Sequence, residues 1–286
     1  MKLGYLTTFN EDELKLASSI GYDGLEVQAG SWPAEALQST EGRKEAAKKA
    51  KDLAAKYGIT VTAIAHYECG VKPAAERIAA YKNIADFCAQ MGVSAIATMS
   101  AGDPEKSLTE NIPIFKETFK EVAKIIEGKG VKIAFENWPG LRSGTPPIKS
   151  INFGYHPKAW EMMFDAVDSP ALGLEFDPSH LVWQFVDYIA AVKLFGSRIH
   201  HVHLKDTEIM EGALSEGGFF GGGWWRYRIP GYGVINWAEF ISALKEVGFD
   251  GGVAIEHEDP VFAGERRVEG LKLGYNHLRP IIVSDQ

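Results

Sequence analysis

Short apolar runs recur along the chain, each introduced by a glycine and each followed by a segment of helical periodicity. They begin at Gly21 (GYDGLEVQ), Gly58 (GITVTAIAHY), Gly92 (GVSAIATMS), Gly130 (GVKIAFEN), Gly196 (GSRIHHVHL) and Gly248 (GFDGGVAIEHE). Glycine there suits the left-handed residue that closes a helix just ahead of a buried strand. The first four recur at intervals of 34 to 38 residues. The stretch from Gly130 to Gly196 holds two units, because a further run, ALGLEFD at 171–177, lies inside it. With residues 3–9 added, the pattern predicts eight strands at about 3–9, 24–29, 60–66, 94–100, 131–137, 171–177, 199–205 and 252–257. Runs that are apolar on both faces suit parallel strands covered on both sides.

The intervening segments read as helices. Ile112, Phe115, Phe119, Val122 and Ile126 step by threes and fours, as do Trp237, Phe240, Ile241, Leu244 and Val247. Asn10 followed by Glu13 has the form of a capped helix start. Cys88 falls on the stripe of Ile78, Tyr81 and Ala85, which predicts a core position. Eight strands alternating with helices predict an α/β fold, a (β/α)8 TIM barrel in a single domain spanning 1–286. A doubly wound open sheet is the alternative, weakened because no GxGxxG or P-loop opens a helix after an early strand.

Composition narrows the function. The 286 residues are 45% apolar and 24% charged, with a formal net charge of −8. An acidic balance disfavours general nucleic-acid binding, since phosphate backbones attract basic surfaces. No run of about 18 apolar residues predicts a membrane span. The start, MKLGYLTTFNEDELK, has no long apolar stretch of a secretory signal. Two cysteines, Cys69 and Cys88, form no disulfide framework, so a reducing, cytoplasmic setting is the expectation.

The polar residues fall where such a barrel keeps its chemistry, at the C-terminal ends of its strands. Strand 3 ends in His66, strand 5 in Glu136-Asn137, and strand 6 in Asp177 with His180 just beyond. Strand 7 carries His201, His203, Lys205 and Asp206; strand 8 carries Glu256, His257, Glu258 and Asp259. In a closed barrel Glu136, Asp177, His203 and Glu256 converge from four consecutive strands. Three carboxylates cannot share a dry mouth without a compensating charge, and one divalent cation supplies it. Oxygen and imidazole donors together suit Mn, Co, Mg or Zn. Glu26 and Glu175 read as helix caps, salt bridges or support behind the ligands. His200 and His257 alternate with the ligand positions and should face the helices.

The segments AFEN (134–137), EFDPSH (175–180), HVHLKD (201–206) and AIEHED (254–259) resemble those of the sugar isomerase/epimerase superfamily of xylose isomerase-like TIM barrels, ketose 3-epimerases and inositol-catabolism enzymes among them. The likeness spans nearly the whole chain. It implies that Glu136, Asp177, His203 and Glu256 hold one metal, that Glu136 and Glu256 are also the acid/base pair, and that His180 touches substrate. It implies as well an arginine shortly after the strand-7 histidine, but position 209 is Ile. Arg226 or Arg228 would replace it from the loop after strand 7.

That loop, TEIMEGALSEGGFFGGGWWRYRIPGYGVIN at 207–236, exceeds the repeat by about 15 residues. Glycines beside aromatics and arginines read as a mobile cover supplying a wall and a cation, or else as an oligomer contact. Trp32 and Trp138, at the ends of strands 2 and 5, would flank a sugar ring, and His66, His180 and Lys205 would bind its oxygens. The leading expectation is a metal-dependent isomerase or epimerase of a sugar or polyol, moving a proton next to a carbonyl through an enediolate. A lyase on 3-keto-sugars or C-glycosides uses the same abstraction, in some cases with a second type of subunit. A type IV endonuclease is remote: it needs a histidine on strand 4, where this chain has Ala97-Thr98-Met99-Ser100, and an aspartate where His201 stands. A homodimer or homotetramer is expected.

Overall fold

The computed structural model describes residues 1–143 and 149–282. Eight parallel strands form a closed barrel: β1 (Lys2–Thr7), β2 (Gly24–Gln28), β3 (Thr60–Ala65), β4 (Ala95–Thr98), β5 (Lys132–Glu136), β6 (Leu172–Phe176), β7 (Ile199–Leu204) and β8 (Gly252–Ile255). Neighbours follow chain order, and β1 pairs with β8, Leu3 opposite Val253, to close the ring. Each strand falls on one of the eight anticipated runs, and a helix follows each. The open sheet is thereby excluded.

Local chemistry explains the helix boundaries. The Asn10 side chain accepts from Glu13 N at the start of Glu11–Ile20, and Ser107 and Glu110 form a reciprocal capping box on Leu108–Ile126. Gly21 closes the first helix at φ 107°, a conformation that costs residues with a Cβ. The stripe Phe115, Phe119, Val122 and Ile126 is buried, and Phe115 and Phe119 pack edge-on against Phe135 of β5. Cys88 is fully buried in the same layer.

The barrel interior departs from the usual filling of branched apolar side chains. Outward positions of β6, such as Leu174 and Phe176, are apolar, with Phe176 packed between Trp160 and Phe240. Inward positions include Gly252, Thr62 and the ionisable Glu26, Glu175, His201 and His203. A Cβ on Gly252 would stand 2.5 Å from Thr62 Cβ and 3.0 Å from His201 Nε2, so β8 can approach only without a side chain there. The room so freed holds Glu26, Glu175, His201 and His203, all buried.

His200 corrects the expectation that it faces the helices. The register between β6 and β7 slips between Leu174 and Glu175, and the His200 ring lies over Gly173 with Nδ1 2.9 Å from the Ile133 carbonyl. His257 does pack outward, against Gly270 of the helix Arg267–Leu278. Beyond the barrel, Asp206–Ile209 pairs antiparallel with Trp225–Arg228, and the helix Glu211–Gly217 lies within this excursion. Among the described residues no helix is long and apolar enough to cross a membrane.

Candidate metal and proton-transfer site

The ends of β5, β6, β7 and β8 bring four donors together. One ligand atom each from Glu136, Asp177, His203 and Glu256 lie within 4.8 Å of one another. His203 Nδ1 is 3.6 Å from Glu136 Oε1 and 3.2 Å from Glu256 Oε2. The two glutamates therefore approach the same nitrogen from β5 and β8, with two strands between them.

Each donor is held by something local. Asn137 clamps the Asp177 backbone: its Nδ2 donates to the Asp177 carbonyl and its Oδ1 accepts from Asp177 N, at 2.9 and 2.8 Å. Asp177 then caps the short helix Pro178–Val182 by accepting from Ser179 N through Oδ1. This leaves Oδ2 turned to the cluster. His203 Nε2 is 2.9 Å from Glu26 Oε2, which leaves Nδ1 for the same place. Asp177 Oδ2 and His203 Nδ1 are both buried and without a hydrogen-bond partner. Orphaned polar atoms of that kind are costly unless something pairs with them. Charged neighbours, the Lys205 ammonium 3.2 Å from Asp177 Oδ2 and Glu256 Oε2 3.2 Å from His203 Nδ1, stand near these atoms, and three carboxylates with one imidazole are a donor set that fits a divalent cation.

Charge in the site is uneven. Burial, followed by repulsion from Glu256, pushes Glu136 up to about 7. Burial would do the same to Glu256, but the Lys205 ammonium and His203 hold it well below the usual carboxylate range. Lys205 is itself buried, 3.2 Å from Asp177 Oδ2 and 2.9 Å from Glu258 Oε2, with its ammonium 4.4 Å above the Tyr227 ring. Burial raises Asp177 as well. His180 Nε2 is 3.2 Å from both Glu136 and Asp177, and its Nδ1 is 2.7 Å from the Tyr227 hydroxyl. Burial and the nearby Lys205 ammonium keep His180 neutral.

The other anticipated residues lie elsewhere. Trp32 stacks on Phe9 and meets Phe87 in a T-shaped contact. His66 turns to Glu68, 3.6 Å away, and to the edge of Tyr81. Trp138 lies over Gly140. Arg226 and Arg228 share Glu208, and Arg228 also pairs with Asp259. Hairpin alternation turns both arginines away from the cluster and turns Tyr227, between them, toward it.

Of the layer beneath the cluster, the sequence reads Glu26 and Glu175 as helix caps, salt bridges or support behind the ligands, and the last of these is what they are; it misses Tyr67. Tyr67 donates to Glu26 Oε1 or Glu175 Oε2, at 2.9 and 2.8 Å, and His201 Nδ1 is 2.9 Å from Glu175. Glu26, Glu175, His201 and His203 also lie close enough to hold an ion, but hydrogen bonds already occupy their facing atoms. A carboxylate in mid-strand, as in LEVQ, was the available signal.

Barrel and site together define a class, and the chain belongs to the xylose isomerase-like TIM barrel family, whose pattern matches residues 14–281. It is 31% identical, over an alignment 327 positions long with gaps, to YfiH, an uncharacterized protein of Bacillus subtilis (strain 168), covering 95% of this chain and 98% of that one. It is 28% identical over 219 residues to inosose dehydratase 2 of Bacillus cereus, 67% of each chain. D-psicose 3-epimerase of Clostridium cellulolyticum H10, solved with D-tagatose, shares the fold with a TM-score of 0.71 at 17% identity, over 99% of this chain and 100% of that one.

Proposed function

We propose that this protein is a divalent-metal-dependent isomerase or epimerase of a sugar or polyol. The observation that carries this reading is two glutamates reaching one cluster from separate strands, both beside His203 Nδ1: burial pushes Glu136 up, while Lys205 and His203 hold Glu256 down. Carboxyl groups driven apart by their surroundings are the starting states of an acid and a base. Glu136, Asp177, His203 and Glu256 would hold the ion, which when bound would orient a carbonyl with its neighbouring hydroxyl and acidify the intervening C–H. The Glu256 carboxylate takes that proton from one face of the carbon. On the other face the ion-holding Glu136 carboxylate relays a proton from water, which gives the epimer; return at the adjoining carbon gives the aldose–ketose isomer. Neutral His180 and the Lys205 ammonium bind the substrate's oxygens, and Tyr227 holds His180 in place.

Elimination is the second reading, favoured by the inosose dehydratase relative and by a buried ammonium beside the base, able to protonate a departing oxygen. Incubation with a panel of ketoses and keto-polyols in D₂O separates the two. Deuterium beside the carbonyl with the carbon skeleton and oxygens intact supports the first; loss of water or an alcohol supports the second. Glu136→Gln and Glu256→Gln should each lower turnover by about 10² or more, the range of acid/base assistance. Near-parental rates in either variant would overturn the two-glutamate scheme.

A further inference from the structure

Near the metal cluster, and lined by none of its four donors, is an apolar cleft of about 570 Å³. Trp183, Trp224, Trp225, Phe219, Phe220 and Tyr155 supply its walls. Trp183 and Trp225 lie parallel, 4.7 Å apart with 2° between their planes. Phe220 is 68% exposed at the rim.

Two chain segments join this cleft to the proton-transfer groups. Trp183 ends the short helix that carries His180, and Trp225 stands two residues before Tyr227 on the same face of the hairpin, with their rings 4.9 Å apart. In the lining the amide nitrogen of Gln184 is already spent on the carbonyls of His180 and Tyr155, which leaves Gln184 Oε1 and the Tyr155 hydroxyl among mostly aromatic walls. A sugar ring placed here would leave most of its hydroxyls without partners. A flat apolar group would lose nothing and gain offset stacking. The buried indole N–H of Trp183 lies next to Tyr227, which ties this wall to the proton-transfer groups.

We infer that the cleft receives an aromatic group carried by the substrate, so that the sugar or polyol reaches the cluster as an aryl conjugate. This rests on the sugar chemistry proposed above and names the substrate class of the same site.

The test is calorimetric titration of the intact protein with 4-nitrophenol, and with matched 4-nitrophenyl and methyl glycosides of several hexoses. Saturable binding of 4-nitrophenol is expected, weakened at least fivefold by Trp225→Ala and by Phe220→Ala. In every glycoside pair that binds, the aryl member should bind at least tenfold more tightly. Phe220 is exposed, so its variant keeps the test valid if loss of the Trp183–Trp225 stack unfolds the other. The inference fails if 4-nitrophenol does not bind, or binds both variants as it binds the parent. It fails equally if sedimentation shows a parental dimer that Phe220→Ala dissociates, since a second copy of the chain would then fill the cleft. Aryl binding without deuterium exchange on any sugar would sink the proton-transfer reading instead, and exchange without aryl binding would sink this one alone.

Discussion

His203 presents one nitrogen to the cluster because a carboxylate from the opposite wall of the barrel holds the other. Glu26 reaches it across the lumen from β2, 177 positions earlier in the chain, and Tyr67 braces Glu26 in turn. A carboxylate behind a ligating imidazole fixes both tautomer and ring orientation. Glu26→Gln should therefore lower metal affinity about 10- to 100-fold in a chelator-competition titration while the barrel still folds. Unchanged affinity would mean that Nδ1 is aimed by packing alone. Protons also compete with the ion. Glu136 releases its proton near 7, and Asp177 and His203 likewise hold theirs above their usual ranges. Because ligands must shed protons to bind metal, affinity should fall as pH drops below 7, by about tenfold per unit from Glu136 alone. The same titration at about pH 8 and pH 6 checks the sign; equal constants would show that Glu136 is outside the ligand set.

At the scale of elements, the excursion between β7 and the helix Trp237–Glu246 carries the groups that border the cluster. Its base is pinned by Asp206, whose carboxylate accepts from the N–H groups of Thr207, Gly231 and Ile235 and from the Trp237 indole. At its tip Phe219, Phe220 and Gly222 line the apolar cleft. Deleting Gly217–Gly223 should leave metal content by elemental analysis at the parental level and raise KM several-fold. Loss of the metal would place the tip in the ligand sphere. The excess length of this loop was legible in the letters, and so was its aromatic content. Which of its residues face the cluster was not. Facing is set by the pairing of Thr207 with Tyr227, and a shift of one residue would have turned the arginines inward and the tyrosine out.

At the scale of the molecule, the barrel and its four convergent donors could be read in advance because closure dictates where strand ends meet. Glu136, Asp177, His203 and Glu256 needed only their place in the strand order. The lumen could not be read so. Runs rich in alanine and glycine count as apolar, yet those residues leave space, and the space here is filled by ionisable groups. Packing them has a consequence for acid stability at a point remote from the cluster. His200, at the start of β7, donates from Nδ1 to Ile133 O, and its Nε2 is buried without a partner. Burial lowers it to about 4, whereas in the unfolded chain it titrates near 6.5. Above about 6.5 both states are neutral and its contribution is fully present. As pH falls from 6.5 toward 4 the unfolded chain takes up a proton that the folded one refuses, and stability is lost, roughly 3 kcal/mol by pH 4. His200→Asn keeps an N–H where Nδ1 stood and removes the titration. Urea midpoints measured from about pH 7 to 4 should then fall less steeply than in the parent, by the uptake of about one proton, and parallel slopes would show that His200 is hydrated in the folded state.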